Sequence, residues 1–213
     1  MMNKNTLLET LSMLPHKHCI AFAASCCERL IPNYHAFVLM EHWGDSHSMQ
    51  AALDIVWAFL EGGNLEEVHV RQLIQSCKSA APHSDDFGSV FVGPAINAYA
   101  ALAHTLEYCL DKDTKHLASI IDLAIDTIDE YLNTVNFPKI GLFADDDSAF
   151  DEWIEQAPLM IAELEKQRQD LEALETLPEL APSFLANLRQ SSSVVGIHPI
   201  KRGLVVVPDT EIQ

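Results

Sequence analysis

The sequence lacks most of the features that would assign a chemistry. It contains no phosphate-cradling glycine loop, no nucleophile elbow, no C-x-x-C pair and no apolar run of membrane-spanning length. Basic residues are also scarce, because 13 lysines and arginines stand against 31 aspartates and glutamates, for a net charge of −18. Such a surface repels DNA, RNA and anionic lipid, so we expect neither a nucleic-acid partner nor a membrane partner.

The cysteines do not form a disulfide framework. Their number is odd, and each lies among apolar neighbours in a helical pattern, where a free thiol packs as a small hydrophobe. The first residues lack the apolar core of a secretory signal. We therefore expect a reduced cytoplasmic protein whose core contains Cys19, Cys26, Cys27, Cys77 and Cys109.

Helical periodicity runs through almost the whole chain. Apolar residues recur three and four positions apart, and prolines and glycines separate the segments. The clearest amphipathic helix is predicted at 113–133, and the most apolar helix is predicted to begin at Pro94. Pro32 is predicted to interrupt the second helix, and 136–148 is predicted to be a loop. The fold class is therefore all-α, a compact bundle of about seven to nine helices.

One domain is predicted, because the chain shows no internal repeat and no second core. Residues 1–190 are assigned to this helical domain, which has enough apolar residues to bury a sizeable core. Residues 191–213 are predicted to form a C-terminal tail that is extended or partly disordered. Two β-branched runs in the tail could pair as a hairpin, although an isolated hairpin is marginal in water.

Two blocks of residues resemble a known bacterial family. The first block is Cys27-Glu28-Arg29-Leu30-x-Pro32-Asn33-Tyr34, followed by Gly44-Asp45 and by Leu53-Asp54-x-x-Trp57. The second block is Ala81-Pro82-x-Ser84-Asp85-Asp86-Phe87, followed by Val92-x-Pro94-Ala95-Ile96-x-Ala98. In these residues the chain resembles domain-of-unknown-function family 416. The resemblance implies an all-helical cytoplasmic protein with no attached enzymatic activity and a suggested link to bacterial signalling.

The first group of candidate site residues surrounds Pro32. Glu28 and Arg29 precede the proline, and Asn33 and Tyr34 follow it. A junction between two helices leaves backbone groups that such side chains can satisfy. The pattern therefore favours a buried polar clasp that sets the angle between the helices, and the alternative is a ligand site around Arg29.

A second group consists of aspartates. Asp54 lies among apolar residues, where a carboxylate needs either a partner such as Arg29 or a function. Clustered carboxylates can bind Mg²⁺, but the Glu-x-x-His or Glu-x-x-x-Asp spacing of helical metal sites does not occur cleanly. We therefore interpret these residues as caps and clasps and assign no metal and no cofactor. The group contains Asp45, Asp54, Asp85 and Asp86.

Histidine and nucleophile patterns are equally unspecific. His16-x-His18-Cys19 does not place both rings on one helix face, so zinc would need distant ligands. Ser84 lies beside His83 and Asp85, but the sequence offers no strand to carry a nucleophile elbow. No catalytic residue is named.

One helix face is singled out for interaction. Residues 111–175 contain 17 acidic and 5 basic residues, a net of −12, so most of the negative charge lies there. We expect a non-catalytic helical interaction or regulatory module that docks a basic protein partner on this surface, and homodimerisation is also open. The predicted acidic face consists of Asp122, Asp126, Asp129 and Glu130.

A second function class is kept open. It is an enzyme, or a binder of a small ligand or a divalent metal, whose pocket is formed by the polar residues of the otherwise apolar helices. Its predicted pocket lies near Glu28, Arg29, Asp54, Asp85 and Asp86.

Overall fold

Nine α-helices make up the part of the chain that the structure describes. The computed structural model describes residues 4–140 and 147–197, and these contain no strand. The predicted all-α bundle is therefore confirmed. The elements are α1 (Lys4–Ser12), α2 (His16–Glu41), α3 (Ser46–Leu60), α4 (Glu67–Ala80), a 3₁₀ turn (Ser84–Asp86), α5 (Val92–Asp111), α6 (Thr114–Ile140), α7 (Asp147–Glu155), α8 (Pro158–Glu175) and α9 (Pro182–Ser192).

The centre of the fold is formed by α2, α5 and α6. Helix α5 packs against α2, α4 and α6, and α2 also contacts α3, α8 and α9. As predicted, α5 is buried along most of its length, with Ala95, Leu102 and Leu106 fully inside. Burial of such apolar surfaces, more than intrinsic helix propensity, stabilises these helices.

Helix α2 continues through Pro32, so the predicted interruption is wrong. The helix runs from His16 to Glu41 with Pro32 inside it. Proline removes one backbone N–H and crowds the carbonyl group four residues earlier, which here belongs to Glu28. Burial offsets this cost, because 18 of the 26 residues of α2 are buried. The first candidate group therefore lies on one continuous helix and not across a junction.

Helix α6 also extends further than predicted. It continues to Ile140, and α7 begins at Asp147. The described residues of the predicted loop, 136–140 and 147–148, are therefore helical. The most extensive helix–helix contact among the described residues joins α5 to α6. Once the packed part of α6 has formed, each further helical residue adds one backbone hydrogen bond, and this outweighs local turn-forming residues such as Asn136.

The C-terminal segment returns to the central helix. Helix α9 ends at Ser192, and Ile197 is completely buried. Gly196 has a φ of +110°, and a Cβ atom there would lie 3.0 Å from the carbonyl oxygen of Arg29. Only a glycine allows this close approach. Residues 198–213, which include most of the predicted hairpin, lie outside the described residues.

The cysteines are free thiols, as predicted. Four are buried and Cys109 is half-buried. Burial raises the pKa of Cys26 to about 12 and that of Cys77 to about 11, so both thiols are protonated at neutral pH. Within the described ranges, no helix is long and apolar enough to cross a membrane.

A tight turn joins α2 to α3. Gly44 adopts a φ of +95° in this turn, and the backbone N–H of Asp45 donates a 2.9 Å hydrogen bond to the hydroxyl oxygen of Tyr34. The hydroxyl group of Tyr99 donates to the same oxygen at 3.0 Å. The Tyr34 hydroxyl therefore links α2, α5 and the start of α3.

We expect Gly44→Ala to lower the free energy of unfolding by about 2–4 kcal/mol, because the added methyl group collides with the Tyr34 hydroxyl at a strained positive φ. Gly62→Ala is the matched control. Its φ is +109°, but no atom lies within 4 Å of an added Cβ, so strain alone should cost about 1–2 kcal/mol. Urea unfolding measures both variants, and equal losses would contradict the collision.

Candidate functional site

Hydrogen bonds and ion pairs divide the predicted site residues among separate groups. Arg29 belongs to one group, Glu28 and Asp54 to a second, and Tyr34 and Asp45 to a third. Adjacent positions on a helix point in directions about 100° apart, so Glu28 and Arg29 face different neighbours. These contacts therefore do not bring Glu28, Arg29 and Asp54 together in one pocket.

Arg29 lies in a buried ionic network between α2 and α8. Its Nε and Nη2 atoms bind the two carboxylate oxygens of Glu163 at 2.7 and 2.8 Å. Its Nη1 atom donates to the Ser25 carbonyl at 2.9 Å and contacts Asp170 at 3.4 Å. Lys166 pairs with Asp170, so two cations balance two carboxylates. Each of these four charged residues is at most 7% exposed.

The guanidinium group of Arg29 has no donor left for a ligand. Its Nη2 atom also contacts the Cys26 sulfur at 3.2 Å, so each of its five N–H groups has an acceptor nearby. Burial alone would lower the pKa of Arg29, but Glu163, Cys26 and Asp170 together outweigh burial and raise it. Of the two interpretations drawn from the sequence, this arrangement favours the polar clasp, although the clasp joins α2 to α8 and not two halves of one junction.

The second group joins α2, α3 and α9. Glu28 accepts hydrogen bonds from the Trp57 indole at 2.8 Å and from Arg189 at 2.6 Å, and Arg189 also pairs with Asp54. Asp54 therefore has a partner, which was one of the two alternatives, but the partner is Arg189 and not Arg29. Asp54 faces solvent, because the buried stripe of α3 contains its neighbours Leu53 and Trp57 and not position 54 itself.

The third group is a helix cap. Asp45 is the N-cap of α3, and its side chain accepts a 2.9 Å hydrogen bond from the His47 backbone N–H, as predicted for a cap.

Asn33 is buried, and its side-chain oxygen has no hydrogen-bond partner among the described residues. Asp85 and Asp86 lie in the exposed 3₁₀ turn, where Asp85 accepts from Ser84 at 3.4 Å.

The N-terminal histidines bind the backbone. His16 lies 3.1 Å from the Tyr108 carbonyl oxygen, and His18 lies 2.9 Å from that of Leu177. The Cys19 thiol donates to the Leu11 carbonyl at 3.1 Å. These contacts account for the His16-x-His18-Cys19 group without a metal.

Three metal-ligating groups that the sequence did not single out lie together where α5 turns into α6. His104 and Glu107 are on α5, and His116 is in the first turn of α6. The Nδ1 atoms of the two histidines are 3.0 Å apart. The Oε2 atom of Glu107 lies 3.2 Å from His104 Nδ1 and 3.3 Å from His116 Nδ1.

A second set of contacts orients this triangle. The other ring nitrogen of His116, Nε2, lies 3.1 Å from a carboxylate oxygen of Asp111. The other carboxylate oxygen of Glu107 accepts a 2.7 Å hydrogen bond from Lys78 on α4. Histidines that bind metals usually donate their second ring N–H to a carboxylate in this way. The surroundings therefore fix the orientation of both side chains.

A proton or a metal ion can occupy the centre of the triangle. If Nε2 of a neutral His116 carries the proton donated to Asp111, its Nδ1 lone pair faces a carboxylate oxygen and a second imidazole nitrogen. Burial lowers the pKa of His104, so that ring is neutral at pH 7. Burial alone would raise the pKa of Glu107, but the hydrogen bond and charge of Lys78, together with His116 and His104, outweigh burial and lower it. Three electron-rich atoms therefore meet, and a proton or a metal ion can hold them together.

The sequence contained a partial signal for this cluster. His104-x-x-Glu107 places both side chains on one face of α5, which is the reverse order of the Glu-x-x-His spacing used for helical metal sites. His116 follows only nine positions after Glu107, across a short turn. Antiparallel packing of α5 and α6 could not be read from spacing alone, so the third ligand was missed.

The three residues open onto a groove of about 640 Å³ between α4 and the α5–α6 turn. Its wall also contains three basic side chains, Arg71, Lys78 and Lys115, and the carboxylate of Asp111. The side chains of His104 and Glu107 are 32% and 21% exposed, and that of His116 is 6% exposed. A small molecule can therefore reach the cluster from one side.

The family model described as "Protein of unknown function (DUF416)" matches residues 6–200. The chain belongs to the DUF416 family. Uncharacterized protein YjaG of Escherichia coli K12 is 30% identical over 122 residues, which are 57% of this chain and 60% of that protein. An uncharacterized protein of Haemophilus influenzae is 30% identical over 129 residues, which are 60% of this chain and 64% of that protein. The chain thus spans less than two thirds of the length of these curated relatives.

A crystal structure supports the same fold. A DUF416 family protein from Shewanella baltica OS155 superposes with a TM-score of 0.74 at 24% identity. The match covers 89% of this chain and 98% of the Shewanella chain. The family resemblance drawn from the two sequence blocks is therefore confirmed, and the bundle is the fold of another DUF416 member.

We expect Glu163→Ala to lower the free energy of unfolding by about 3–5 kcal/mol, because it leaves the buried Arg29 cation without its main partner. Glu67→Ala is the control. It removes a 2.7 Å pair with Arg71 in which both side chains are about two-thirds exposed, at 65% and 66%, so its loss should be about 0.5 kcal/mol or less. Circular dichroism during urea denaturation measures both, and a small loss for Glu163→Ala would contradict the clasp.

Proposed function

We propose that this DUF416 protein binds one divalent transition-metal ion through His104, Glu107 and His116. The observation that carries the proposal is the size of the ligand triangle, whose sides are 3.0, 3.2 and 3.3 Å. Zinc binds nitrogen and oxygen at about 2.0–2.1 Å, and tetrahedral bonds of that length separate neighbouring ligand atoms by about 3.3 Å. The triangle therefore has the dimensions of one face of a zinc coordination tetrahedron.

The chemistry of the donors favours a transition metal over Mg²⁺ or Ca²⁺. Imidazole is a ligand for zinc, iron, copper and nickel, whereas Mg²⁺ and Ca²⁺ prefer oxygen ligands throughout. Two imidazoles and one carboxylate leave a fourth position free, which is the arrangement of sites that exchange a water or ligand and not of closed structural sites. The groove beside His104 and Glu107 gives access to that position.

The neighbouring side chains support binding before any metal arrives. Asp111 orients His116, and Lys78 orients Glu107, so little side-chain freedom remains to be lost on coordination. Asp111 also makes His116 a stronger ligand by accepting a hydrogen bond from its other ring nitrogen, Nε2. The protein therefore presents three ligand atoms that are already arranged around one point.

We expect cobalt(II) to bind the full chain at one equivalent and to give the intense visible bands of a tetrahedral complex. His104→Ala and His116→Ala should each abolish the bands, whereas His69→Ala, which removes an exposed histidine of α4, should leave them unchanged. Zinc at about 100 times its dissociation constant should raise the free energy of unfolding by about 2.7 kcal/mol.

Asp111→Asn is the finer test of this site. Loss of its charge at the second nitrogen of His116 should weaken metal binding by about 10–100-fold without removing a ligand. Cobalt bound equally well by His116→Ala would contradict the proposal. Absence of any one-equivalent binding would mean that a proton, and not a metal, joins the three atoms.

The expected protein partner and its docking site stay predictions, and one observation supports them. On the acidic face, burial and then neighbouring carboxylates raise the pKa values of Asp126, Asp129 and Glu130. Lys4 of α1 pairs with the fourth member, Asp122. Charges that repel one another in the folded chain are relieved by a basic partner, which speeds association at low salt.

We expect Asp126→Asn to raise the free energy of unfolding by about 0.5 kcal/mol at pH 7, because it removes a charge that is destabilised by burial and then by Asp122. A raised pKa in the folded state means that stability rises as the pH falls through that pKa, so the advantage of Asp126→Asn should vanish below pH 4. Asp86→Asn is the control, since it removes an exposed carboxylate of the 3₁₀ turn that lies outside the acidic face and should not stabilise the protein.

The two variants are compared by urea unfolding at several pH values. Equal effects of Asp126→Asn and Asp86→Asn would show that the charge of Asp126 is not destabilised in the folded chain. A basic partner whose association rate is unchanged after reversal of all four acidic charges would refute docking at this face.

A further inference from the structure

We infer that the open metal position takes a small organic anion, whose charged group completes the coordination and whose apolar part lies in an adjoining groove between α4 and α5. This inference rests on the proposed metal site, because the metal supplies the bond to the charged group. It adds a ligand class that neither the family nor its relatives specify. Three observations carry it: the charge of the first groove, the exposure of two of its basic side chains and the apolar groove beside it.

With the metal bound, the charge of the metal groove is opposite to that of the protein. Lysines and arginines number only 13 in the chain, yet three of them, Arg71, Lys78 and Lys115, line this one groove. Two carboxylates, Glu107 and Asp111, also line it, and Glu67 and Asp113 pair with Arg71 and Lys115. Three cations against these four carboxylates give a net charge of −1, and a bound divalent ion changes it to +1. A local cationic site on a protein of net charge −18 concentrates small anions and disfavours cationic ligands.

Two of the basic side chains are free to turn toward an anion. Arg71 pairs with Glu67 and Lys115 pairs with Asp113, but both are surface pairs, with the basic side chains 65% and 66% exposed. Pairs of this kind contribute little free energy and exchange readily with other partners. Lys78 is more constrained, because it holds Glu107 in place at 2.7 Å. Arg71 and Lys115 are therefore the residues expected to contact the anion.

A second groove of about 250 Å³ adjoins the first. The two share Lys78, His104 and Glu107, so an occupant of one reaches the ligand triangle of the other. The remaining wall of the second groove carries no ionised side chain at neutral pH. It consists of Cys77, Ala81, Ile96, Tyr99, Ala100 and Ala103.

The apolar groove selects for a hydrocarbon part. Burial raises the pKa of the Cys77 thiol to about 11, which keeps it uncharged, and the Tyr99 hydroxyl is already bonded to Tyr34. A chain placed here would remove apolar surface from water on both sides. The two grooves together therefore fit a charged head on the metal and an apolar tail along α5.

The experiment uses the full chain loaded with cobalt(II) and straight-chain carboxylates from acetate to octanoate, at constant ionic strength in a non-coordinating salt. Each acid should perturb the visible cobalt bands on binding. Affinity should rise about fourfold for each methylene that the apolar groove buries and should then level off when the groove is full. Inorganic phosphate and butyl phosphate form a second pair that tests whether the charged group must be a carboxylate.

Variants separate the two parts of the ligand. Ala100→Phe fills the apolar groove and should abolish the dependence on chain length while acetate still binds. Lys115→Ala should weaken every anion by a similar factor, about threefold to tenfold, and leave the chain-length dependence intact. Cobalt saturation is confirmed for each variant before any acid is added.

The outcomes distinguish the two proposals. Normal cobalt binding with no response to any carboxylate or phosphate would overturn the anion inference and leave the metal site standing. A response that is the same for acetate and octanoate would overturn the assignment of the apolar groove. Loss of cobalt binding itself would overturn the metal site and, with it, this inference.

Discussion

The ion pair between Arg29 and Glu163 is the constraint on which the arrangement of the bundle depends. A guanidinium group buried on α2 is tolerable only if carboxylates reach it, and both come from α8. The pair therefore fixes α8 against the central helix, and α8 in turn packs on α6. Because α6 also carries His116, the position of the ligand triangle depends on the same packing that satisfies Arg29. The buried ionic network and the ligand triangle therefore depend on the same helix packing.

The charged residues of the protein occur in three different environments. The network around Arg29 is buried and neutral, so it contributes specificity to the packing and no field outside. The acidic face of α6 is partly exposed, and both burial and neighbouring like charges destabilise its carboxylates. The groove beside the α5–α6 turn collects basic side chains around two histidines. Similar residue types therefore serve stability, repulsion and ligand attraction according to their burial and their neighbours.

Local pattern predicted the elements better than their partners. Periodicity identified the bundle and the central position of α5, because burial of an apolar stripe leaves a direct mark on sequence. It failed at Pro32, where burial of most of α2 outweighs the missing hydrogen bond. The partner of Arg29 could not be predicted, since Glu163 lies 134 positions along the chain. His104 and Glu107 were within reach of spacing arguments, but His116 needed the geometry of the helical turn.

The contact between Gly196 and the Arg29 carbonyl has a consequence for the order of events during synthesis. Arg29 leaves the ribosome long before Glu163, and Gly196 and Ile197 emerge later still. Until then, the Arg29 cation on α2 lacks the carboxylates of α8, and the Arg29 carbonyl lacks its contact with Gly196. The nascent chain therefore cannot complete these contacts until α8, α9 and Gly196 have been synthesised. Chaperones that shield apolar surface would act in this interval, and a stalled or shortened chain would remain unable to close its core.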